Sequence, residues 1–230
     1  MTTRSFQYSL GGAAILLCST VCAHDTPFQK EFDISSCKML TKGRNEYFIL
    51  EPGHQLVLEG GNEKIAITVL DETKTVDGTV TRVVEEREWK GGKQHEVSRN
   101  YFAMCEGTKD IFYFGEDVDD YEDGKVVRHS GAWIAGRAGS KVGLIMPGTP
   151  KVGMRYYQEF APGVAIDQAE IVSLKETCKT PAGTFSKCMK VKETDPLDGD
   201  VEYKYYAPGI GLIQEEDLAL TKHGFVGAAK

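Results

Sequence analysis

Residues 64–104, KIAITVLDETKTVDGTVTRVVEEREWKGGKQHEVSRNYFAM, read as three successive extended segments joined by two tight turns. Lys64 to Leu70 alternates, with Ile65, Ile67 and Val69 on one face. Asp77-Gly78 is a two-residue hairpin signal, because both positions tolerate the positive φ that a type I′ turn demands. Thr79 to Trp89 then runs extended to Gly91-Gly92, and Glu96 to Met104 returns. The same pattern continues outward. Upstream stand Tyr47–Leu50, Pro52-Gly53, Gln55–Leu58 and Gly60-Gly61-Asn62. Downstream come Asp110–Phe114, the Asp123-Gly124 hairpin into Lys125–Val127, Arg155–Phe160, Ala169–Leu174, Phe185–Val191, Val201–Tyr206 and Ile210–Glu215.

No window carries a sustained helical period with caps. Turns recur about every eight to twelve residues, which predicts an all-β antiparallel meander. A dozen strands laid flat would leave long bare edges, so the expected form is a strongly curved sheet, a half-barrel or a barrel. Residues 133–153, rich in Gly and Pro, break the pattern and predict a long loop that covers a cavity mouth or packs on the sheet.

The strand Thr79–Trp89 carries charge on both faces, so neither is a plain core face. Thr81, Val83, Glu85, Arg87 and Trp89 share one face; Val80, Arg82, Val84, Glu86 and Glu88 share the other. One reading makes Glu85, Arg87, Arg99 and Tyr101 the polar lining of a cavity. The other makes them cross-strand pairs whose long side chains reach water.

The first 23 residues, MTTRSFQYSLGGAAILLCSTVCA, have the build of a cleavable secretion leader: Arg4, an apolar run Leu10–Cys18, and small residues Val21 and Ala23 before a cut at His24. The apolar run is too short to span a bilayer, and Val21 is a poor neighbour for lipidation at Cys22. The expected product is a periplasmic or secreted chain, residues 24–230, forming one all-β domain with no membrane span. The net charge is −7, or −8 once Arg4 is removed. That excludes attraction to nucleic acid or anionic lipid. Six cysteines fall to four, Cys37, Cys105, Cys178 and Cys188, and in an oxidising compartment these are disulfide candidates. Cys178 and Cys188 flank a Thr180–Thr184 turn at five residues from Gly183 on each side, so they are expected to face one another. Cys37–Cys105 would then staple the N-terminal segment to the sheet. No CxxC is present, which excludes ordinary redox catalysis.

The block Thr180-Pro181-Ala182-Gly183-Thr184-Phe185, with Tyr205-Tyr206-Ala207-Pro208-Gly209-Ile210-Gly211-Leu212, resembles hairpin-plus-strand endings of secreted bacterial β proteins. Among these are families with the curved half-barrel of periplasmic lipoprotein carriers. Across Tyr47–Glu216, the segments YFILEPGHQLVLEG, TRVVEEREW and YFGEDV together with that ending are similar to a widespread uncharacterised group of secreted bacterial all-β proteins. The resemblance implies a compartment and a β architecture, and supplies no catalytic residues.

Chemistry-bearing motifs are few. GxSxG, HExxH, phosphate-cradling loops and dinucleotide fingerprints are absent. The five histidines show no HxH or HxxxH spacing; His24, at a new N-terminus, could chelate copper. The acidic stretch Glu116–Asp123 fails the EF-hand spacing at Tyr121 and Ser130. It still offers Asp117, Asp119, Asp120 and Asp123 as Ca²⁺ ligands, joined by a loop such as Asp195, Asp198 and Asp200. Three functions therefore compete. The leading one is a non-catalytic binding protein for a small apolar or amphipathic molecule, or for an extracytoplasmic protein. It needs no cofactor, and Trp89, Tyr101, Tyr113, Trp133, Tyr156, Arg87 and Arg99 are the candidate contacts. The second is a Ca²⁺-binding accessory protein. The third is a hydrolase using Glu116 and Glu159, each in an aromatic setting that would raise its pKa.

Overall fold

The computed structural model describes residues 27–227. The expected leader, with Cys18 and Cys22, and His24 lie outside the described residues. Seventeen strands follow in chain order. The first group is β1 (Met39–Leu40), β2 (Gly43–Asn45), β3 (Phe48–Leu50), β4 (His54–Gly60), β5 (Glu63–Val76), β6 (Thr79–Lys90), β7 (Lys93–Cys105) and β8 (Ile111–Glu122). Then come β9 (Lys125–Arg128), β10 (Trp133–Ile134), β11 (Gly143–Met146) and β12 (Arg155–Tyr157). The last are β13 (Gln168–Thr180), β14 (Gly183–Thr194), β15 (Val201–Ala207), β16 (Gly211–Glu215) and β17 (Leu218–Phe225). Among the described residues no helix forms, and none is long and apolar enough to cross a membrane.

The main sheet is antiparallel, in the order β10-β8-β7-β6-β5-β4-β17-β16-β15-β14-β13-β12. It is the expected meander, with one long-range join where β17 pairs with β4, Leu220 opposite Leu58. β9 and β11 also pair with β8, β1 pairs with β7, and β2–β3 form a separate ribbon. The two ends of the sheet approach each other: the Lys141 N–H donates to the Phe160 carbonyl at 2.8 Å. Residues 133–153 do not form a bare loop. They contribute β10 and β11, both laid against β8. Gly115, at φ +126°, allows this, because a Cβ there would meet the Trp133 carbonyl at 2.3 Å.

Local chemistry accounts for the hairpins. Asp77-Gly78 has φ of 46° and 79°, and Asp123-Gly124 has 48° and 76°, the type I′ signature. The long strands coil through bulges; β5 shifts register between Val69 and Thr73. That bulge leaves carbonyls unpaired, and Arg82, only 6% exposed, satisfies them. Its guanidinium donates to the carbonyls of Leu70 and Glu72 at 3.2 Å and of Thr41 at 2.8 Å, with Asp71 as counter-ion. Arg82→Met should cost roughly 2–3 kcal/mol in urea unfolding, since it strands buried acceptors. A loss below ~0.5 kcal/mol would show that water replaces the guanidinium.

Cys37 and Cys105 form the expected disulfide, closing a separation of 68 residues and anchoring β1, where Met39 faces Cys105. Cys178 and Cys188 are a correction. Both are buried thiols. The hairpin turns at Pro181-Ala182, with Thr180 opposite Gly183, so its centre lies ahead of Gly183. Cys178 therefore faces Phe185 and Cys188 faces Glu176, across a bulge at Lys187 (φ 56°). The thiols are diagonal neighbours, and burial with the adjacent Cys188 pushes Cys178 up to about 12.

Candidate functional site

The interior of the curled sheet holds a cavity of about 260 Å³, walled by strands from both halves of the chain. Register defines its rows. Leu56, Ile67, Glu86, Ser98 and Val118 stand side by side across β4 to β8. The next row reads Leu58, Ile65, Glu88, Glu96 and Asp120, and on the other side run Val69, Val84, Asn100 and Glu116. From the C-terminal half come Lys204 opposite Glu215, and Tyr206 opposite Leu212. One part of the wall is apolar, with Phe48, Leu56, Ile67, Phe102, Ile145 and Leu212; another carries Glu86, Glu96, Glu116, Glu159 and Glu215.

Lys204 is the one lysine on the lining. Its ammonium contacts Glu193 at 2.9 Å, Glu202 at 3.1 Å and Glu215 at 3.6 Å. Among the described residues Glu86, Glu96, Glu116 and Glu159 form no ion pair, and the Lys204 charge reaches Glu86 and Glu159 only at longer range. Burial pushes Glu86 and Glu159 well above the carboxylate range, with Glu215 adding to the first and Glu116 to the second. Burial likewise lifts Glu116 to about 8, Glu96 to about 7 and Asp167 to about 6. Glu159 accepts from the Trp133 indole at 2.5 Å. The carboxyl of Glu86 lies within hydrogen-bonding reach of that of Glu88. His54, 6% exposed, has its pKa lowered chiefly by burial.

Of the anticipated contact residues, only Tyr113 lines the cavity. Its hydroxyl donates to Asn100, and the Trp133 ring stacks edge-on at 5.3 Å behind it. Tyr156 is 1% exposed and packs in the core, its hydroxyl unpartnered. Of the two readings of Glu85, Arg87, Arg99 and Tyr101, the structure favours paired side chains over a cavity lining: none lines the cavity and all four lie on the opposite face, which corrects Arg87, Arg99 and Tyr101 as ligand contacts. Arg87 contacts Glu85 at 2.6 Å, Arg99 bridges Glu85 and Asp119 at 3.4 Å, and Tyr101 donates to Asp117 beside Lys74. Trp89 sits under Lys64, beside a groove at the Gly61–Asn62 turn.

The proposed Ca²⁺ ligands do not converge. Asp117 serves Lys74 and Tyr101, Asp119 serves Arg99 and His129, Asp120 accepts from the Ser130 N–H, and Asp123 meets Lys93 at a hairpin tip. Among the described residues no group of three His, Cys, Asp or Glu is placed to hold a metal ion. Glu116 and Glu159, by contrast, line the same cavity, and the charge of Glu116 helps push Glu159 up.

Fold and cavity thus define a curled antiparallel-sheet protein with an acid-rich interior. No protein-family model matches the chain, and neither a curated protein nor a solved structure does.

Proposed function

We propose that this is a non-catalytic binding protein, working outside the cytoplasm, that holds one small amphipathic molecule in its interior cavity. The observation that carries the reading is the cavity itself, about 260 Å³, with an apolar wall on one part and ionisable groups on another. A sheet interior selected for stability alone would be apolar throughout. Setting Glu88 directly opposite Glu96, next to Asp120, works against stability, and such departures concentrate at functional sites. The Cys37–Cys105 disulfide fits an oxidising compartment, which supports a periplasmic or secreted location.

A hydrolase needs two carboxyls pushed apart in pKa, one protonated and one ionised. Glu116 and Glu159 are pushed up together, which favours binding over hydrolysis. Native mass spectrometry of protein isolated from its own cells, without chelators, tests the proposal. A mass adduct lost on organic denaturation is the expected result. A bare chain that also fails to take up short amphiphiles would overturn it.

A further inference from the structure

We infer that the polar end of the ligand is an organic cation, a primary or substituted ammonium on a short apolar stem, seated against Glu86, Glu96, Glu116 and Glu159. This rests on reading the cavity as a ligand site. The void points to a ligand, and its wall states which kind. Lys204 already gives its three donors to Glu193, Glu202 and Glu215, which leaves the other lining carboxyls with no cation of their own. Among the described residues Glu96 has neither hydrogen bond nor ion pair, although it faces the void from the middle of the sheet.

Other head groups fit the same wall worse. An anionic head would meet five carboxyls, each of which must stay protonated beside it, and one saturated ammonium, so its charge would go uncompensated. A neutral hydroxyl would find partners but would leave the carboxyls as a purely destabilising group. An ammonium brings up to three N–H donors, and a carboxyl that gives up its proton beside it becomes an acceptor for a short charge-assisted bond. The apolar stem then lies along Leu56, Ile67, Phe102 and Leu212. At ~30 Å³ per water-sized atom the space suits about eight or nine non-hydrogen atoms, the size of octylamine.

Binding has a proton balance. In the empty cavity burial lifts Glu96 to about 7 and Glu116 to about 8, with Glu88 and Asp120 adding to the first and Glu96 to the second. The groups around them are Glu86 and Glu88 of β6, Asp120 of β8, Glu159 and Asp167 near β12, Glu193 of β14, Lys204 and Glu202 of β15, Glu215 of β16, and His54 and His95, with Asp117 acting from the opposite face of β8. When R–NH₃⁺ enters, a carboxylic acid gives its proton to solvent and the carboxylate keeps the cation. Net charge in the cavity is unchanged, and one proton leaves for each cation bound.

Isothermal titration of the intact chain at pH 7 with octylamine, 1-octanol and octanoate tests this, run in two buffers of different ionisation enthalpy. Octylamine should bind at least tenfold more tightly than octanol. Octanoate should not bind, and the amine's apparent enthalpy should track the buffer, reporting proton release. In the isosteric double variant Glu116→Gln with Glu159→Gln, the amine preference should fall at least tenfold while octanol binding persists. Octanol equal to or tighter than octylamine in the unaltered protein would overturn the cation while leaving the ligand site standing. Failure of all three probes would overturn both.

Discussion

Lys204→Met should destabilise the protein by roughly 3–5 kcal/mol at pH 7.5, because it removes the shared cation from Glu193, Glu202 and Glu215. The desolvation of three carboxylates stays in place while their compensation is lost. The side chain of Glu193 is 8% exposed and its other partner is the amide of Gln158 at 2.8 Å, so it has little recourse to water. Glu215, already pushed up by burial, should take a proton in the variant. The deficit should therefore shrink on moving from pH 7.5 to pH 5, since protonation removes the charge that lost its partner. Urea unfolding at both pH values measures this, with unchanged stability at pH 7.5 as the refuting result. Such a result would mean that the ammonium's own burial cancels its three attractions.

The unaltered protein should lose stability as pH rises, by roughly 4 kcal/mol between pH 5 and pH 8. A carboxyl with a folded pKa above its unfolded value keeps a proton that the unfolded chain has released. Glu96 and Glu116 go from an ordinary 4.5 to about 7 and about 8, and Asp167 from 3.8 to about 6. Their contribution is complete below the unfolded values and is lost as pH climbs through the folded ones. One group that holds its proton throughout loses ~1.4 kcal/mol per pH unit, and water in the cavity moderates the sum over several. Asp117 and Asp120 act in the opposite sense, lowered by their hydrogen-bonding partners, so they lose stability only as pH falls below the usual carboxylate range. The stability maximum should thus lie near pH 5. A flat profile, or a maximum at pH 8, would mean that the interior acids are ionised and solvated.

Architecture was legible because its signals are local. Asp77-Gly78 and Asp123-Gly124 need positive φ, and alternation in Lys64–Leu70 needs nothing beyond the chain itself. The cavity face was half legible. Carried through the Asp77-Gly78 turn, register sets odd-numbered residues of β5 beside even-numbered residues of β6, and the shift at the β5 bulge keeps that parity, so Ile65, Ile67 and Val69 stand beside Glu88, Glu86 and Val84. That parity alone identifies the acid face and sends Glu85 and Arg87 to the other side. The next step was not legible, because the bulge between Glu88 and Trp89 changes parity between β6 and β7. Lys204 and Glu215 were beyond reach for a different reason. They meet Glu86 only through the curl of the whole sheet, and no short segment encodes that. Counting symmetrically around Gly183 misplaced Cys178 and Cys188 because Pro181-Ala182 makes the turn.

The pairing of β17 with β4 has a consequence for how the chain matures. Thr221 bonds the Val57 carbonyl across 164 residues, in the middle of the sheet rather than at an edge. The segments on either side are meanders that can zip locally as they emerge, but the seam between them closes only when the last strand arrives. Such distant pairing is slow to form because loop-closure entropy comes before its reward. The cavity wall draws on both meanders, so the cavity is complete only once the seam has closed. Until the C-terminal strand arrives, the interior face of the first meander stands without the wall that β15 and β16 supply.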